Sequence, residues 1–216
     1  HSPVTTQVIM RDVLIALVPA LIASVVFFGF RALTVTVVSA AACVFFEWLY
    51  CKMTKMHCKI YDLSAAVTGV LLAFVCPVTI PYWTIILGDF FAIVIVKQLF
   101  GGIGSNFVNP ALAGRAFLLA SYPTEMTTWS VPNGLEVADA ATYATPLAEL
   151  KAGTLHASIG QLALGQVGGC IGETCAIALI IGGIYLLYKH VISWKIPVIY
   201  IATVAILFGV IGRHGM

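Results

Sequence analysis

The sequence predicts an all-α, polytopic transmembrane bundle with short or broken helices, on three observations. Hydrophobic residues make up 61% of the 216 positions, charged residues only 9%, and the mean hydropathy is +1.03. A soluble domain is about one quarter charged, so these few charges could not cover a water-exposed globule. The apolar residues also fall into seven runs, several cut short by proline or glycine. By length this is one domain, residues 1–216. Disordered chains are excluded by the apolar content, secreted disulfide scaffolds by the sparse cysteines, and nucleic-acid binders by a net charge of only +2.

The first span is expected at about 11–30. Arg11 and Asp12 precede an uncharged run, and Arg31 closes it. Such a run rises roughly 27 Å as a helix, close to a hydrocarbon core. Pro19 inside it kinks a membrane helix without breaking it. A signal peptide fits less well, because no small-residue cleavage site follows. The second span, 33–50, ends in Glu47, Trp48 and Tyr50 at an interface. The third, 62–76, is short and is stopped by Pro77 and Pro81. Spans at 83–100 and 107–121 follow, then a polar stretch at 122–165, and finally spans at 170–188 and 195–212.

Basic residues orient the bundle. Lys52, Lys55 and Lys59 crowd one connection, Lys189 and Lys195 bracket another, and Lys97 flanks a third. The positive-inside rule places these connections and the N-terminus in the cytoplasm. It places 122–165 outside, and that stretch carries Glu125, Glu136, Asp139 and Glu149 against Lys151. An odd number of spans leaves the C-terminus outside, so further spans are expected beyond residue 216. Short segments with Gly/Pro breaks resemble half-helices that meet at a midplane site.

Acids at membrane depth are costly, so Asp62, Asp89 and Glu173 are candidates for an ion path. The plainer expectation is that Glu47, Asp62 and Asp89 lie near helix ends, hydrated or capping, with Asp62 accepting the free N–H groups of the next helix. Glu173 sits in the glycine-rich run 168–174, where backbone N–H groups could meet a ligand or where glycines simply let helices pack closely. Asn109 and Pro110 mark another helix start, and Arg115, a lone cation in a short apolar run, needs a phosphate, an acid or carbonyls as partner. The cysteines, at 43, 51, 58, 76, 170 and 175, include no CxxC pair and are expected to be small buried residues. His57, His156 and His190 show no ligand spacing, and Trp48, Trp83 and Trp194 read as an interfacial belt. By its residues alone, the run from Asp139 to Thr145 is a polar turn with no catalytic base.

That run, Asp139-Ala140-Ala141-Thr142-Tyr143-Ala144-Thr145, resembles the flavinylation motif Asp-x-x-Ser/Thr-x-Ala-Thr, with Tyr143 where glycine is usual. Its company is similar too: Thr68–Phe74 with Pro77 and Pro81, Lys97–Gly104, Asn109–Leu112, Gly114–Phe117 and Ile171–Thr174 occur in the order of the RnfD/NqrB family. The compact length is closer to the RnfD branch. The resemblance implies a urea-transporter-like inverted repeat of about ten spans in the bacterial inner membrane. It implies a subunit of an ion-translocating ferredoxin:NAD+ oxidoreductase, with FMN joined by a phosphoester to Thr145 on the outer face. Thr142 and Tyr143 would lie beside the FMN, and Arg115, Gly172, Glu173 and Thr174 would contact a flavin. A second flavin such as riboflavin is also implied. Partners would be the other membrane subunits, especially a second flavin-bearing subunit and iron–sulfur subunits, in a lipid bilayer and without nucleic acid. The transported ion, Na+ or H+, stays open. So do an NqrB-type subunit of a Na+-pumping quinone reductase, a small-solute channel or transporter, and a structural scaffold.

Overall fold

The computed structural model describes residues 5–55, 60–130, 159–165, 167–173 and 175–214. Every regular element among them is helical, as the composition requires. Helix α1 (Thr6–Phe28) and helix α2 (Phe30–Thr54) are separated by the single residue Gly29. Both are long and apolar enough to cross a membrane. Helix α1 begins before the apolar run and so takes Arg11 and Asp12 into its first turns. Asp12 is buried, with the Tyr185 hydroxyl 3.4 Å from its Oδ1.

A short 3₁₀ turn (Ile60–Asp62) leads into α3 (Ser64–Phe74). Asp62 Oδ1 accepts from the Ser64 backbone N–H at 2.9 Å and from the Ser64 hydroxyl at 2.6 Å. The carboxylate thereby satisfies a free donor at the helix start. Helix α4 (Tyr82–Phe90) continues without a break into a π-helical stretch, Phe91–Gln98. An eight-residue π stretch is long for this geometry, which usually occurs as a single turn at functional sites. Helix α5 (Pro110–Ser121) starts as the sequence predicts: Pro110 fills the first turn, and Asn109 Oδ1 accepts from Ala111 N at 3.0 Å. Three short or apolar helices of the second half, α6 (Pro123–Thr127), α7 (Ile159–Leu164) and α8 (Ala176–Tyr188), precede α9 (Lys195–His214).

Helix α2 lies at the centre and packs on α1, α3, α4 and the π stretch. The α2–α3 crossing is tight because of Gly69. A Cβ there would stand 2.7 Å from both Ala40 Cα and Ser39 O, closer than atoms approach. Small residues at such a crossing let backbones meet in an apolar medium, where burying hydrocarbon gives no drive to associate. The core at this junction is formed by Val35, Leu72, Ile85, Ala92 and Leu118, all fully or almost fully buried. Outward faces of α1, α8 and α9 are lined by exposed Ile, Val and Leu. Trp48, Trp83 and Trp194 are all exposed, as an interfacial role requires.

Candidate functional site

Helix α3 ends where the prolines end it. Pro77 lacks an N–H, and its ring disfavours helical backbone at Cys76. This leaves a run of carbonyls, from Phe74 to Ile80, with no helical donors. Within a membrane each would cost on the order of several kcal/mol if unpaired. Every one of them has a partner. Phe74 O accepts from Gly172 N–H at 2.9 Å, Val75 O from the Cys170 thiol at 3.3 Å, and Cys76 O from Ile171 N–H at 3.0 Å. Pro77 O accepts from Ile80 N–H at 3.3 Å. Arg31 takes the other three: its Nε donates to Val78 O at 2.9 Å and its Nη2 to Thr79 O and Ile80 O, each at 3.3 Å. Arg31, expected only to close the first span, is therefore the clamp on the broken end of the third.

The glycine-rich segment before α8 completes this junction. Gly172 lies so close to Phe74 that a Cβ there would collide with the ring. Of the two readings open for these glycines, close packing accounts for Gly172, and its N–H is already engaged. The segment also brings Glu173 to Arg115 of α5, with Oε1 3.7 Å from Nη1. Arg115 Nη2 lies 3.7 Å from Cys170 Sγ. Of the partners left open for Arg115, a phosphate, an acid or carbonyls, an acid is present. The pair is open: the Arg115 side chain is 34% exposed and that of Glu173 51%. A cleft of about 220 Å³ adjoins it, lined by Leu71, Phe74, Asn109, Leu112, Gly172 and Glu173. Thr142, Tyr143, Thr145 and Thr174 lie outside the described residues.

A second polar centre lies between α2, α3 and the π stretch. Lys97 Nζ donates to Glu47 Oε1 at 2.7 Å and to Ser64 Oγ at 2.6 Å. Gln98 Nε2 donates to the same Glu47 oxygen at 2.6 Å. With Asp62 bonded to Ser64, the chain of contacts runs Gln98–Glu47–Lys97–Ser64–Asp62. Both charges are buried: the Lys97 side chain is 3% exposed and that of Glu47 5%. Glu47 is thus not the hydrated or capping group of the plainer expectation, and Lys97, read as flanking a cytoplasmic connection, is buried in protein. Charge complementarity between an acid in one apolar run and a lysine in another was the available signal. Burial in lipid or protein leaves such groups no stable alternative to each other.

Asp89 is also buried inside the bundle, not at a hydrated end. Its Oδ1 lies 2.7 Å from Ser39 Oγ and 3.2 Å from Cys43 Sγ, and its Oδ2 has no protein partner. No cation pairs with it among the described residues. The three acids singled out as ion-path candidates therefore occupy three settings: Asp62 caps α3, Asp89 is enclosed, and Glu173 faces the open cleft. Four of the five described cysteines are buried. Among the described residues no three His, Cys, Asp or Glu side chains gather as a metal site.

A broken helix whose carbonyls are served by a distant glycine-rich segment is matched by a family likeness across the whole chain. The sequence model of the NQR2, RnfD, RnfE family matches residues 1–216. The chain belongs to this family. Within the NQR2, RnfD, RnfE family, it is 47% identical over 213 residues to a subunit of the Na(+)-translocating ferredoxin:NAD(+) oxidoreductase complex of Acetobacterium woodii, covering 97% of this chain and 66% of that protein. It is 43% identical over 209 residues to a subunit of the proton-translocating ferredoxin:NAD(+) oxidoreductase complex of Clostridium ljungdahlii, covering 92% and 63%. A subunit of the ion-translocating oxidoreductase complex of Salmonella arizonae is 33% identical over 243 residues, covering 95% and 69%. The chain thus spans about two thirds of the length of the curated relatives it matches. An all-helical bundle with apolar outer faces fits a membrane protein of the NQR2, RnfD, RnfE family.

Proposed function

We propose that this chain is part of the membrane subunit of an ion-translocating electron-transfer complex, working between ferredoxin and NAD+ and carrying FMN as a phosphoester on Thr145. The observation that carries the reading is the Asp139–Thr145 motif within a chain of this family. A flavin supplies chemistry no side chain offers, taking two electrons and releasing them singly. The described residues are compatible with a flavin nearby. Arg115 is partly exposed, and its long contact to Glu173 leaves guanidinium N–H groups free for a phosphate or a ring carbonyl. The adjoining cleft offers an apolar wall with few polar groups, the usual make-up of a cofactor site. Gly172 shapes this wall by its closeness to Phe74 instead of by donating a hydrogen bond outward. Thr142 and Tyr143, beside Thr145 in sequence, are assigned to the immediate surroundings of the flavin, and Thr174, next to Glu173 in sequence, to its further contacts.

A phosphoester tether holds the carrier on the outer face and limits its reach to a neighbouring subunit. The partners proposed are a second flavin-bearing subunit and iron–sulfur subunits; a second flavin such as riboflavin is compatible with the same assembly. The relatives' names give Na+ in one case and protons in another. Replacing Thr145 by Ala in the full-length subunit is expected to abolish its flavin fluorescence on a denaturing gel. A fluorescent band that survives the substitution overturns the attachment site.

A further inference from the structure

We propose that Asp89, Ser39 and Gly69 form a proton-binding site in the core of the bundle, with Asp89 held as the neutral acid. The number of hydrogens available decides this. Ser39 Oγ lies 2.8 Å from Gly69 O and 2.7 Å from Asp89 Oδ1. A serine hydroxyl carries one hydrogen, and a carbonyl and an ionised carboxylate carry none to give. If Asp89 were ionised, one of these two short contacts would be oxygen against oxygen with nothing between. With one added proton both are satisfied: Asp89 Oδ1–H donates to Ser39 Oγ, and Ser39 Oγ–H donates to Gly69 O. The chain ends on a backbone carbonyl that Ser39 reaches because Gly69 has no Cβ to hold α2 away.

Two further observations agree. Asp89 Oδ2 is buried and has no partner. As the carbonyl oxygen of a neutral acid it carries little charge, whereas an orphaned carboxylate oxygen in an apolar core is very costly. No cation among the described residues lies on the carboxyl to compensate a charge, because the nearest buried lysine, Lys97, is committed to Glu47 and Ser64. The titratable groups around the site are Cys43 on α2 in direct contact, the Glu47–Lys97 pair beyond it, and Cys76 after α3. From α5 the nearby residues, packed on Gly88, are Gly114 and Leu118, which carry no charge. A metal cation is a poorer occupant than a proton. Hard cations need a near-complete oxygen shell, whereas Asp89 Oδ1 meets the sulfur of Cys43, which itself packs with the apolar Ala65 and Ile93.

The role of this site in ion movement rests on the proposed function, but the hydrogen count does not. The test is infrared spectroscopy of the full-length subunit in its complex at neutral pH, in wild type and three variants. Wild type is expected to show a protonated-carboxyl C=O band that is lost in Asp89→Asn, displaced in Ser39→Ala and unchanged in Thr145→Ala. The last variant removes the tethered flavin, so failure of the flavin reading leaves this result intact. Asn mimics the neutral acid in shape, with its NH₂ donating to Ser39. Should that variant not assemble, the Ser39→Ala displacement decides alone. Absence of the band in wild type, its persistence in Asp89→Asn, or an unshifted band in Ser39→Ala overturns the proposal. So does a band that appears only when Na+ is withdrawn, which would make the site a sodium site.

Discussion

Lys97–Glu47 and Arg115–Glu173 each join segments far apart in sequence, but they differ in burial, distance and company. The first pair is 2.7 Å apart, with side chains 3% and 5% exposed, and its members also bind Ser64 and Gln98. The second is 3.7 Å apart, with side chains 34% and 51% exposed. A buried pair with additional hydrogen bonds is a structural commitment, since removing one member strands the other without solvent. An open pair contributes little to stability and keeps its hydrogen-bonding capacity for something else. The contrast separates the group that holds the bundle together from the group free to meet a ligand.

The largest effect is expected at the buried pair. Lys97→Met leaves Glu47 buried without its cation and is expected to destabilise the subunit by about 3–5 kcal/mol. Thermal unfolding in detergent measures this, and adding Glu47→Gln should recover most of the loss. If the single variant unfolds like wild type, the pair is not the structural member. Gly69→Val tests whether the α2–α3 approach sets the distance between Glu47 and Ser64. Overpacking of this kind costs about 1–3 kcal/mol, and the same melting experiment should show an intermediate loss. Arg115→Gln is expected to change stability least, by about 0–1 kcal/mol. A large drop in its melting temperature would show that the open pair is structural after all.

Much of the fold was legible because it follows from solubility and local sterics. Pro77 ended α3 where expected, Asn109-Pro110 started α5, and Asp62 took the first N–H of α3, all through interactions within a few residues. That Arg115 needs a partner was also legible, since a lone cation in an apolar helix demands compensation; that Glu173 supplies it was not. What the sequence left open was the setting of Glu47, Lys97 and Asp89. Near the end of an apolar run, a charged side chain looks the same whether it faces water or a neighbouring helix. The π-helical stretch after Asp89 was equally invisible, because it changes hydrogen-bond spacing without changing composition.

The sequence by itself determined that the chain is helical and embedded in lipid, where its helices break, and which family it resembles. These follow from hydropathy, proline chemistry and short motifs, each readable in a window of a few residues. Only the tertiary structure decided which groups serve the broken end of α3, which lysine neutralises which acid, and which carboxyl is left without a cation. Those outcomes depend on partners 33 to 98 positions apart in the chain, as in Lys97–Ser64 and Gly172–Phe74. In an apolar interior a polar atom must take whatever partner packing brings to it, and packing is a property of the whole bundle.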